Sequence, residues 1–492
     1  MYLLGIDLGT SSIKVSVIDA HTQQCVASAH HPEKEAEIKS LQSGWAEQSP
    51  KDWWENTQIA LLKLNKTGKY QSQDIKAIGI AYQMHGLVAV DKHLNPLRDS
   101  IIWCDSRAVE IGEKAFDDIG HEQCLSHLLN SPGNFTAAKL AWVKQNEPEL
   151  YSRIHKVMLP GDYIAMMLTG SITTSIPALS EGIFWDFKND ELSKDVIQYF
   201  GIEKDLIPEI RPLFSNHGEV KPDIAAALGL SAGIPVAYKA GDQPNNALSL
   251  NVLKPGEVAA TAGTSGVIYG VSDRLDYDLQ SRINTFAHVN YTPSQKYTGI
   301  LLCINGVGSM YRWAKHNFAP NIDYKDLNTL AAESPIGSNG IKVLPFGNGA
   351  ERMLGNKYTS VQFHGIDLNR HNQSDIFRSV QEGIACAFRY GLDIMKENGM
   401  TPNVIRAGHA NLFLSPVFAQ AFVDLSGVTL ELYDNNGSVG AALGAGIGAN
   451  IYADATEAFN KFGYIKKIEP LQQQANEEIY LAWKEILIKA IN

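Results

Sequence analysis

The fold of this chain is decided near its start, by the stretch Tyr2-Leu-Leu-Gly-Ile-Asp-Leu-Gly-Thr-Ser-Ser-Ile-Lys-Val-Ser-Val-Ile-Asp19. An apolar run stops at Gly9-Thr-Ser-Ser12, and a second run follows in which apolar and polar residues alternate. This pattern predicts two strands joined by a tight turn. Such a turn points backbone N–H groups and hydroxyls at one place, which suits a phosphate group, although an ordinary hairpin with a polar turn shares the pattern. Asp7 precedes the turn, where a carboxylate could hold the metal ion that accompanies a polyphosphate.

The same pattern recurs about half a chain length later, in Glu257-Val-Ala-Ala-Thr-Ala-Gly-Thr-Ser-Gly-Val-Ile-Tyr-Gly-Val-Ser-Asp273. Two hairpins of the phosphate-binding type, one opening each half, indicate two similar lobes that face each other across a nucleotide. We therefore predict an α/β fold of two actin-like (ribonuclease H-like) ATPase lobes with a central cleft. The predicted domains are residues 1–245 and 246–492.

Length and composition agree with this organisation and exclude several classes of function. A chain of 492 residues is too long for a single hydrophobic core. Its net charge of -11 argues against non-specific nucleic-acid binding, which needs a basic surface. The five cysteines are scattered without a CxxC spacing, so we expect reduced thiols in a cytoplasmic protein and no zinc site. Because no segment reaches about 18 consecutive apolar residues, we expect no membrane span.

Two polar loops in the first half are candidates for binding a sugar. The apolar run Ile75–Tyr82 predicts a buried strand and is followed by Gln83-Met-His-Gly86, where α/β proteins place ligand contacts. A solvent-facing β-turn is the alternative there. Farther on, Trp103, Asp105 and Arg107 alternate after another apolar strand, and an aromatic beside polar groups of both signs suits sugar hydroxyls. An Asp–Arg ion pair that closes a loop explains the second pattern equally well.

Three further turns follow strands at places suited to catalysis or nucleotide binding. A strand ending at Gly241 leads into Asp242-Gln243 and a helix, where Asp242 is either a functional carboxylate or a plain N-cap. A second strand breaks into a glycine-rich turn that ends at Gly308, and a third ends in Ala407-Gly-His-Ala-Asn411, small residues that let an adenine lie against the backbone. No GxGxxG follows a strand and no GxxxxGK[ST] is present, so neither a Rossmann nor a P-loop site is supported.

Together these stretches resemble the FGGY family of carbohydrate kinases over nearly the whole chain and in the expected order. The motifs that carry the resemblance are the two phosphate motifs, the two sugar loops, the Lys-x-x-Trp signature region and the catalytic-base motif, here Asp7–Lys14, Ala262–Gly266, Gln83–Gly86, Trp103–Arg107, Thr136–Asn146 and Gly241–Gln243. Two motifs depart from the family pattern. The adenosine motif has His409 where glycine is usual, and Asp242-Gln-Pro-Asn-Asn246 is less rich in alanine than is common.

The resemblance implies a reaction and a set of site residues. ATP would donate its γ-phosphate to a terminal hydroxyl of a ketose, with O5 of D-xylulose as the expected acceptor. Asp242 would be the catalytic base, ionised at neutral pH with an ordinary pKa of about 4, and Asp7 would be catalytic through Mg²⁺. The expected sugar contacts are Met84, His85, Trp103, Arg107, Asp242 and Gln243. The expected ATP contacts are Gly9, Thr10, Ser11, Lys14, Gly263, Thr264, Gly308, Gly408 and Asn411.

Several alternatives stay open at this point. A kinase of the same family could act on ribulose, gluconate, glycerol or a seven-carbon ketose, although Met84-His85 argues against glycerol, for which the family resemblance would call for Arg-Glu. A non-kinase ATPase of the actin-like architecture or a catalytically inactive sugar sensor are the rivals from other classes. The expected partners are the sugar and ATP, without nucleic acid or membrane, and a homodimer is a family-level expectation.

Overall fold

The computed structural model describes the chain from Met1 to Asn492, apart from the side chains of Glu351 and Gln473. The chain forms two compact units, and neither is continuous in sequence. The first unit comprises Met1–Asn251, Phe286–Thr298 and Asn436–Phe462. The second unit comprises Val252–Thr285, Gly299–Asn435 and Gly463–Asn492. The predicted domains, 1–245 and 246–492, follow sequence order and so do not anticipate the segments that return to the first unit.

The strands, in chain order, are β1 (Tyr2–Leu8), β2 (Ile13–Asp19), β3 (Cys25–His31), β4 (Glu47–Gln48), β5 (Ile75–Tyr82), β6 (Val88–Val90), β7 (Ser100–Ile101), β8 (Lys156–Met158), β9 (Thr173–Thr174), β10 (Trp185–Asp186), β11 (Glu191–Leu192), β12 (Glu209–Ile210) and β13 (Val236–Gly241). They continue with β14 (Glu257–Ala262), β15 (Gly266–Ser272), β16 (Asn284–Ala287), β17 (Thr298–Ile304), β18 (Lys342–Leu344), β19 (Gln362–His364), β20 (Val404–Gly408), β21 (Leu430–Tyr433) and β22 (Lys466–Ile468).

The α-helices are α1 (Pro50–Asn65), α2 (Val109–Ile119), α3 (His121–Leu128), α4 (Thr136–Asn146), α5 (Pro148–Tyr151), α6 (Pro160–Thr169), α7 (Ile176–Glu181), α8 (Lys194–Phe200), α9 (Pro222–Leu228) and α10 (Asp242–Ser249). They continue with α11 (Gly308–Phe318), α12 (Tyr324–Glu333), α13 (Gln373–Glu397), α14 (Pro416–Ser426), α15 (Gly437–Gly448), α16 (Ala455–Ala458) and α17 (Gln473–Ile491). None of these helices combines the length and the apolar character that crossing a lipid bilayer requires.

The first unit is built on a five-stranded sheet with the order β13-β5-β1-β2-β3. Strands β1 and β2 form the predicted antiparallel hairpin, in which Asp7 lies opposite Lys14. Strands β5 and β13 run parallel to β1 and β5 respectively. In this register Tyr82 pairs with both Leu8 and Gly241, so the three parallel strands end together. The residues that follow each strand are therefore brought to one edge of the sheet.

The second unit repeats this plan in a seven-stranded sheet with the order β16-β17-β15-β14-β20-β21-β22. Strands β14 and β15 form an antiparallel hairpin, and β20 runs parallel to β14, as β5 does to β1. The predicted pair of α/β lobes, each with its hairpin, is confirmed. The core of this unit gathers around α13, whose buried residues include Val380, Ile384 and Leu392.

Helix α15 explains why a late segment of the chain belongs to the first unit. A Cβ atom on Gly5 of β1 would lie 1.7 Å from the carbonyl oxygen of Ser438, and one on Gly79 of β5 would lie 1.9 Å from that of Ala441. Such distances are far below van der Waals contact, so only glycine lets this helix approach the two strands so closely. The small residues of α15 therefore serve close helix–sheet packing.

Candidate active site

The first unit gathers most of the predicted catalytic and sugar-binding residues at the carboxyl edge of its sheet. Strand β1 delivers Asp7 and the turn after it, β5 delivers Gln83-Met-His-Gly86, and β13 delivers Asp242. The N–H group of Gln83 donates to the carbonyl of Leu8 at 2.8 Å, which extends the pairing of β1 and β5 into the loop. Loops that follow adjacent parallel strands are where ligands bind in open α/β sheets.

Side-chain hydrogen bonds tie the predicted phosphate turn to the predicted sugar loops. The Thr10 hydroxyl accepts from Trp103 Nε1 at 3.0 Å and donates to Gln83 Oε1 at 3.3 Å. The carbonyl of Thr10 accepts from Gln48 Nε2 at 2.8 Å, and Gln48 Oε1 accepts from Gln83 Nε2 at 3.0 Å. Gly9 closes the turn by donating to the Ser12 carbonyl at 3.2 Å. Residues that the sequence assigned to phosphate and to sugar thus share one network.

Asp7 and Asp242 form a pair of neighbouring carboxylates. Burial raises the pKa of Asp7, and the positive charge of Lys14 on β2 partly offsets that effect. Burial and, to a smaller extent, the negative charge of Asp7 raise the pKa of Asp242, the N–H group of Gln243 lowers it, and the result is a pKa of about 7. The sequence-based expectation of an ordinary pKa near 4 for Asp242 is therefore wrong, because it took no account of burial or of a second carboxylate.

The two sugar-loop residues Met84 and His85 are held tightly. The buried side chain of Met84 packs against Gly241, the last residue of β13. A Cβ atom at position 241 would lie 2.6 Å from Met84 Cγ, so a larger residue there would displace Met84. The ring of His85 lies between Phe135 and Phe286, with ring centroids 4.9 and 5.3 Å away. These aromatic neighbours give the imidazole a defined orientation.

Arg107 lies in an ion-pair network, which is the alternative that its sequence pattern left open. Its guanidinium contacts Asp105 at 2.7 Å and Glu47 at 2.6 Å, and it stacks on the Trp45 ring at 3.8 Å. The side chain is only 1% exposed. Its neighbour in the pattern, Trp103, is 49% exposed. The geometry thus favours a supporting role for Arg107 within the loop. Of these two residues, Trp103 is the one that a ligand can reach.

The second unit carries the other phosphate-type turn. Between β14 and β15, the carbonyls of Gly263 and Thr264 accept from the N–H groups of Gly308 and Ser309, at 2.8 and 3.1 Å. A Cβ atom on Gly308 would lie 2.4 Å from the Gly263 carbonyl oxygen. The hairpin turn and the start of α11 therefore meet through backbone hydrogen bonds, and the close approach requires glycine at position 308.

A cleft of about 910 Å³ opens beside this turn within the second unit. Its walls combine glycine backbone, aromatic and aliphatic side chains and two basic groups, among them Gly263, Thr264, Gly308, Tyr311, Arg312, Tyr324, Lys325, Asn411, Leu412 and Val417. Such a mixture suits a nucleotide, whose base is flat and apolar and whose phosphates are anionic. Four of the predicted ATP contacts lie in this lining. Gly408 is not among the described lining residues; it ends β20, where an added Cβ would lie 3.5 Å from the Asn435 Cβ.

Three buried polar residues of the site have no role in the sequence-based prediction. Glu181 and Lys139 both bind the backbone of His85. Gln48 makes four side-chain hydrogen bonds, donating to the carbonyls of Thr10 and Glu37 and accepting from Trp53 and Gln83. Among the described residues, no group of three or more His, Cys, Asp or Glu side chains could hold a metal ion by itself.

Comparison with known proteins gives a consistent result. The family model for the N-terminal domain of the FGGY family of carbohydrate kinases matches residues 2–249. The chain is 28% identical over 474 residues to the xylulose kinase of Bacillus subtilis (strain 168), covering 94% of this chain and 91% of the relative. It is 29% identical over 463 residues to the xylulose kinase of Escherichia coli (strain K12), covering 92% and 90%.

Solved structures agree with the predicted architecture. The xylulose kinase from Rhodospirillum rubrum superposes with a TM-score of 0.89 at 25% identity and covers 99% of both chains. The gluconate kinase from Lactobacillus acidophilus superposes with a TM-score of 0.90 at 22% identity, over 100% of this chain and 98% of that one, and shows a shared fold alone. The predicted actin-like fold class is confirmed.

Proposed function

We propose that this chain, which belongs to the FGGY family of carbohydrate kinases, transfers the γ-phosphate of ATP to O5 of D-xylulose and forms D-xylulose 5-phosphate. The observation that carries the proposal is the carboxylate of Asp242, whose pKa of about 7 suits a general base, at the sheet edge that also presents the sugar loop. Xylulose is the preferred acceptor because the curated relatives cited above are named xylulose kinases.

Asp242 acts as the base in this proposal. As O5 attacks the γ-phosphorus, its proton passes to the Asp242 carboxylate and ADP leaves. Phosphoryl transfer has a loose transition state, so the protein contributes mainly by positioning groups and stabilising charge. A base is most effective when its pKa lies near the working pH, and burial brings Asp242 into that range.

Met84, His85, Trp103 and Gln243 would contact the sugar. Trp103 exposes about half of its surface beside the Thr10 turn, which fits a platform for the apolar face of a sugar. Arg107 would not contact the sugar itself. Its ion pairs with Asp105 and Glu47 would hold the loop that carries Trp103.

The nucleotide would be bound in the cleft of the second unit, beside its phosphate-type turn. Gly263, Thr264, Gly308 and Asn411 line this cleft. In the first unit, Gly9, Thr10 and Ser11 lie in the turn and Lys14 lies on β2. Arg312 and Lys325 add positive charge to the cleft walls, which suits the phosphates.

The residues present fit a magnesium ion. Asp7 and Asp242 are close enough for the charge of Asp7 to raise the pKa of Asp242, and a nearby cation would favour the ionised form of both. Mg²⁺ keeps most of its waters and is held by one or two carboxylates together with substrate phosphates. Asp7 would hold the ion, which when bound neutralises charge on the polyphosphate.

The proposal is tested by ADP release from the purified protein with Mg-ATP across D-xylulose, D-ribulose, D-gluconate, glycerol and sedoheptulose. We expect D-xylulose to stimulate release most, and Asp242→Asn to lower that stimulated rate by about a thousandfold, within the range for a positioned base. Glu113→Gln, which removes an exposed carboxylate from α2, is the control for loss of one charge.

The outcomes separate the alternatives. Stimulation by another sugar would retain the kinase mechanism and replace the substrate. Sugar-independent turnover that survives Asp242→Asn would contradict the kinase mechanism and favour an ATPase that activates water elsewhere.

A further inference from the structure

His85 has a backbone conformation that needs support. Its φ angle is +60°, in the left-handed region that residues with a Cβ atom rarely adopt. Such a conformation costs of order 1 kcal/mol or more and persists where surrounding contacts impose it. Gly86 follows, and a Cβ there would lie 2.6 Å from Pro160 Cγ, so the next peptide is also closely confined. The sugar loop thus has a constrained shape at the residue that presents its imidazole.

The backbone N–H of His85 is bound by a buried carboxylate. Glu181, the last residue of α7, is 2% exposed, and its Oε1 accepts this N–H at 2.7 Å. The carbonyl of the same glutamate lies 3.2 Å from His85 Nδ1. Because a carbonyl oxygen can only accept, that contact places the proton of a neutral ring on Nδ1. Glu181 therefore fixes both the main chain and the ring of His85.

The backbone C=O of His85 is bound by a buried lysine. Lys139 of α4 is 0% exposed, and its Nζ donates to the carbonyls of His85 at 2.8 Å and of Ile102 at 2.9 Å. Ile102 immediately precedes Trp103 in the second sugar loop. A single ammonium group thus links the loop after β5 to the loop after β7.

These two ionisable groups are buried, and both form hydrogen bonds to the backbone of His85. Burial raises the pKa of Glu181 well above its ordinary range and lowers that of Lys139 to about 7. Buried charged groups generally cost stability unless they are paired and hydrogen-bonded. Glu181 and Lys139 bind the N–H and the C=O of His85, and burying both groups lowers the stability of the fold. A role in shaping the sugar loop explains why they are there better than a contribution to stability does.

We propose that Glu181 and Lys139 are positioning residues that together hold His85 in its left-handed conformation and so set the orientation of its imidazole toward the sugar. We call this pair the His85 clamp. The inference rests on the proposed function, because it takes His85 as a sugar contact. We expect the clamp to act on sugar binding and not on nucleotide binding, since its hydrogen bonds reach the two sugar loops and, through a long contact of 3.5 Å, the Tyr82 hydroxyl at the end of β5.

The test compares substitutions that remove the hydrogen bond with substitutions that keep it. Glu181→Leu and Lys139→Met keep approximate volume but cannot bind the backbone of His85, and Glu181→Gln retains an oxygen acceptor. We expect the first two to raise the KM for D-xylulose by about tenfold or more, equivalent to a lost hydrogen bond to a charged group, with the KM for ATP within about twofold. Glu181→Gln should restore the KM for D-xylulose to within about threefold of the wild type.

A matched control separates positioning from stability. Glu382 of α13 in the second unit is also buried and accepts a backbone N–H, that of Gly337, at 3.0 Å. Glu382→Leu should lower the thermal midpoint and leave the KM for D-xylulose unchanged. If Glu181→Leu does not fold, Glu181→Asp carries the same expectation, because it withdraws the carboxylate by about 1.5 Å, one carbon–carbon bond.

The clamp and the proposed function fail differently. If the wild-type protein shows no stimulation by D-xylulose, the proposed substrate is wrong, and the variants are compared on the sugar that does stimulate ADP release. If folded Glu181 and Lys139 variants keep the wild-type KM for the active sugar, the clamp is overturned.

Discussion

Asp242→Asn should make the protein more stable at alkaline pH while it abolishes catalysis. The folded-state pKa of Asp242 is about 7, above its ordinary value of 3.8. Between these two values the folded chain holds a proton that the unfolded chain has released. Stability is therefore lost as pH rises, by about 1.4 kcal/mol for each pH unit, and the loss is complete above pH 7. Asparagine carries no charge and escapes this loss.

The expected magnitude follows from the pH interval that is measured. From pH 5 to pH 7 the wild type should lose up to about 2.7 kcal/mol through Asp242, and little more from pH 7 to pH 8. The advantage of Asp242→Asn in free energy of unfolding should grow by this amount between pH 5 and pH 8. The protein is used without nucleotide and with a chelator, because a bound cation would lower the pKa of Asp242.

Urea unfolding followed by tryptophan fluorescence is a suitable assay, because six of the eight tryptophans belong to the first unit. The exposed substitution Glu113→Gln should follow the pH dependence of the wild type. A difference between Asp242→Asn and wild type that stays constant from pH 5 to pH 8 would refute the raised pKa, and with it the match between Asp242 and the working pH.

Three further results are expected. The kcat/KM for the sugar should fall as the pH is lowered from 8 to 6, by up to about tenfold, because Asp242 must be ionised to accept a proton and the Mg²⁺ that accompanies ATP lowers its pKa from the value of about 7. Gly308→Ala should raise the KM for ATP by about fivefold or more in initial-rate assays and spare that for sugar, because its Cβ would lie 2.4 Å from the Gly263 carbonyl oxygen. Lys239→Met should lower the free energy of unfolding in urea by about 3–5 kcal/mol, because it strands the buried carboxylate of Asp162, now 2.5 Å from Lys239 Nζ.

Each of these expectations has a control or a contradicting outcome. A pH profile that is flat from pH 6 to pH 8 would exclude Asp242 as the titrating base. Gly463→Ala adds a methyl group that meets open space and should leave both KM values unchanged. Lys194→Met removes an exposed ion pair with Glu191 and should cost less than about 1 kcal/mol, so an equal loss in the two lysine variants would mean that burial adds nothing at Lys239.

The parts of the site that the sequence predicted are those that depend on neighbouring residues. The hairpin β1–β2 follows from its alternating pattern, and the change from β13 to α10 follows from Gly241-Asp-Gln243. Tyr82 ends the predicted strand Ile75–Tyr82 in the structure as well. The turns after β1, β5 and β13 lie at one edge of the sheet because these parallel strands are in register and end together. The hairpin turn of the second unit, between β14 and β15, was predicted in the same way, as a repeat of the first.

The parts that were not predicted depend on contacts between distant segments. Glu181 lies in a hydroxyl-rich stretch without clear periodicity, and it binds His85, which is 96 residues away in sequence. Lys139 is the lysine of the Lys-x-x-Trp signature region, but that motif assigns it no contact, and a lysine on a helix is ordinarily solvated. Neither residue type signals its own burial. The pKa of Asp242 escaped prediction for the same reason.

Because some features of the site depend on contacts between distant segments, a sequence motif alone does not determine which sugar the site selects. In the proposed function, side chains of Gln83-Met-His-Gly86 would contact the sugar, and their directions follow from the main chain at His85, which Glu181 and Lys139 bind. A relative with the same four residues and a different support would present the same imidazole at another angle. Sugar selectivity should therefore follow the supporting pair as well as the motif. The ratio of the kcat/KM values for D-xylulose and D-ribulose should differ between wild type and Lys139→Arg, which keeps the donor but alters its geometry. Substitution of the half-buried Lys144 of α4, which binds the Gly201 carbonyl, should leave that ratio constant.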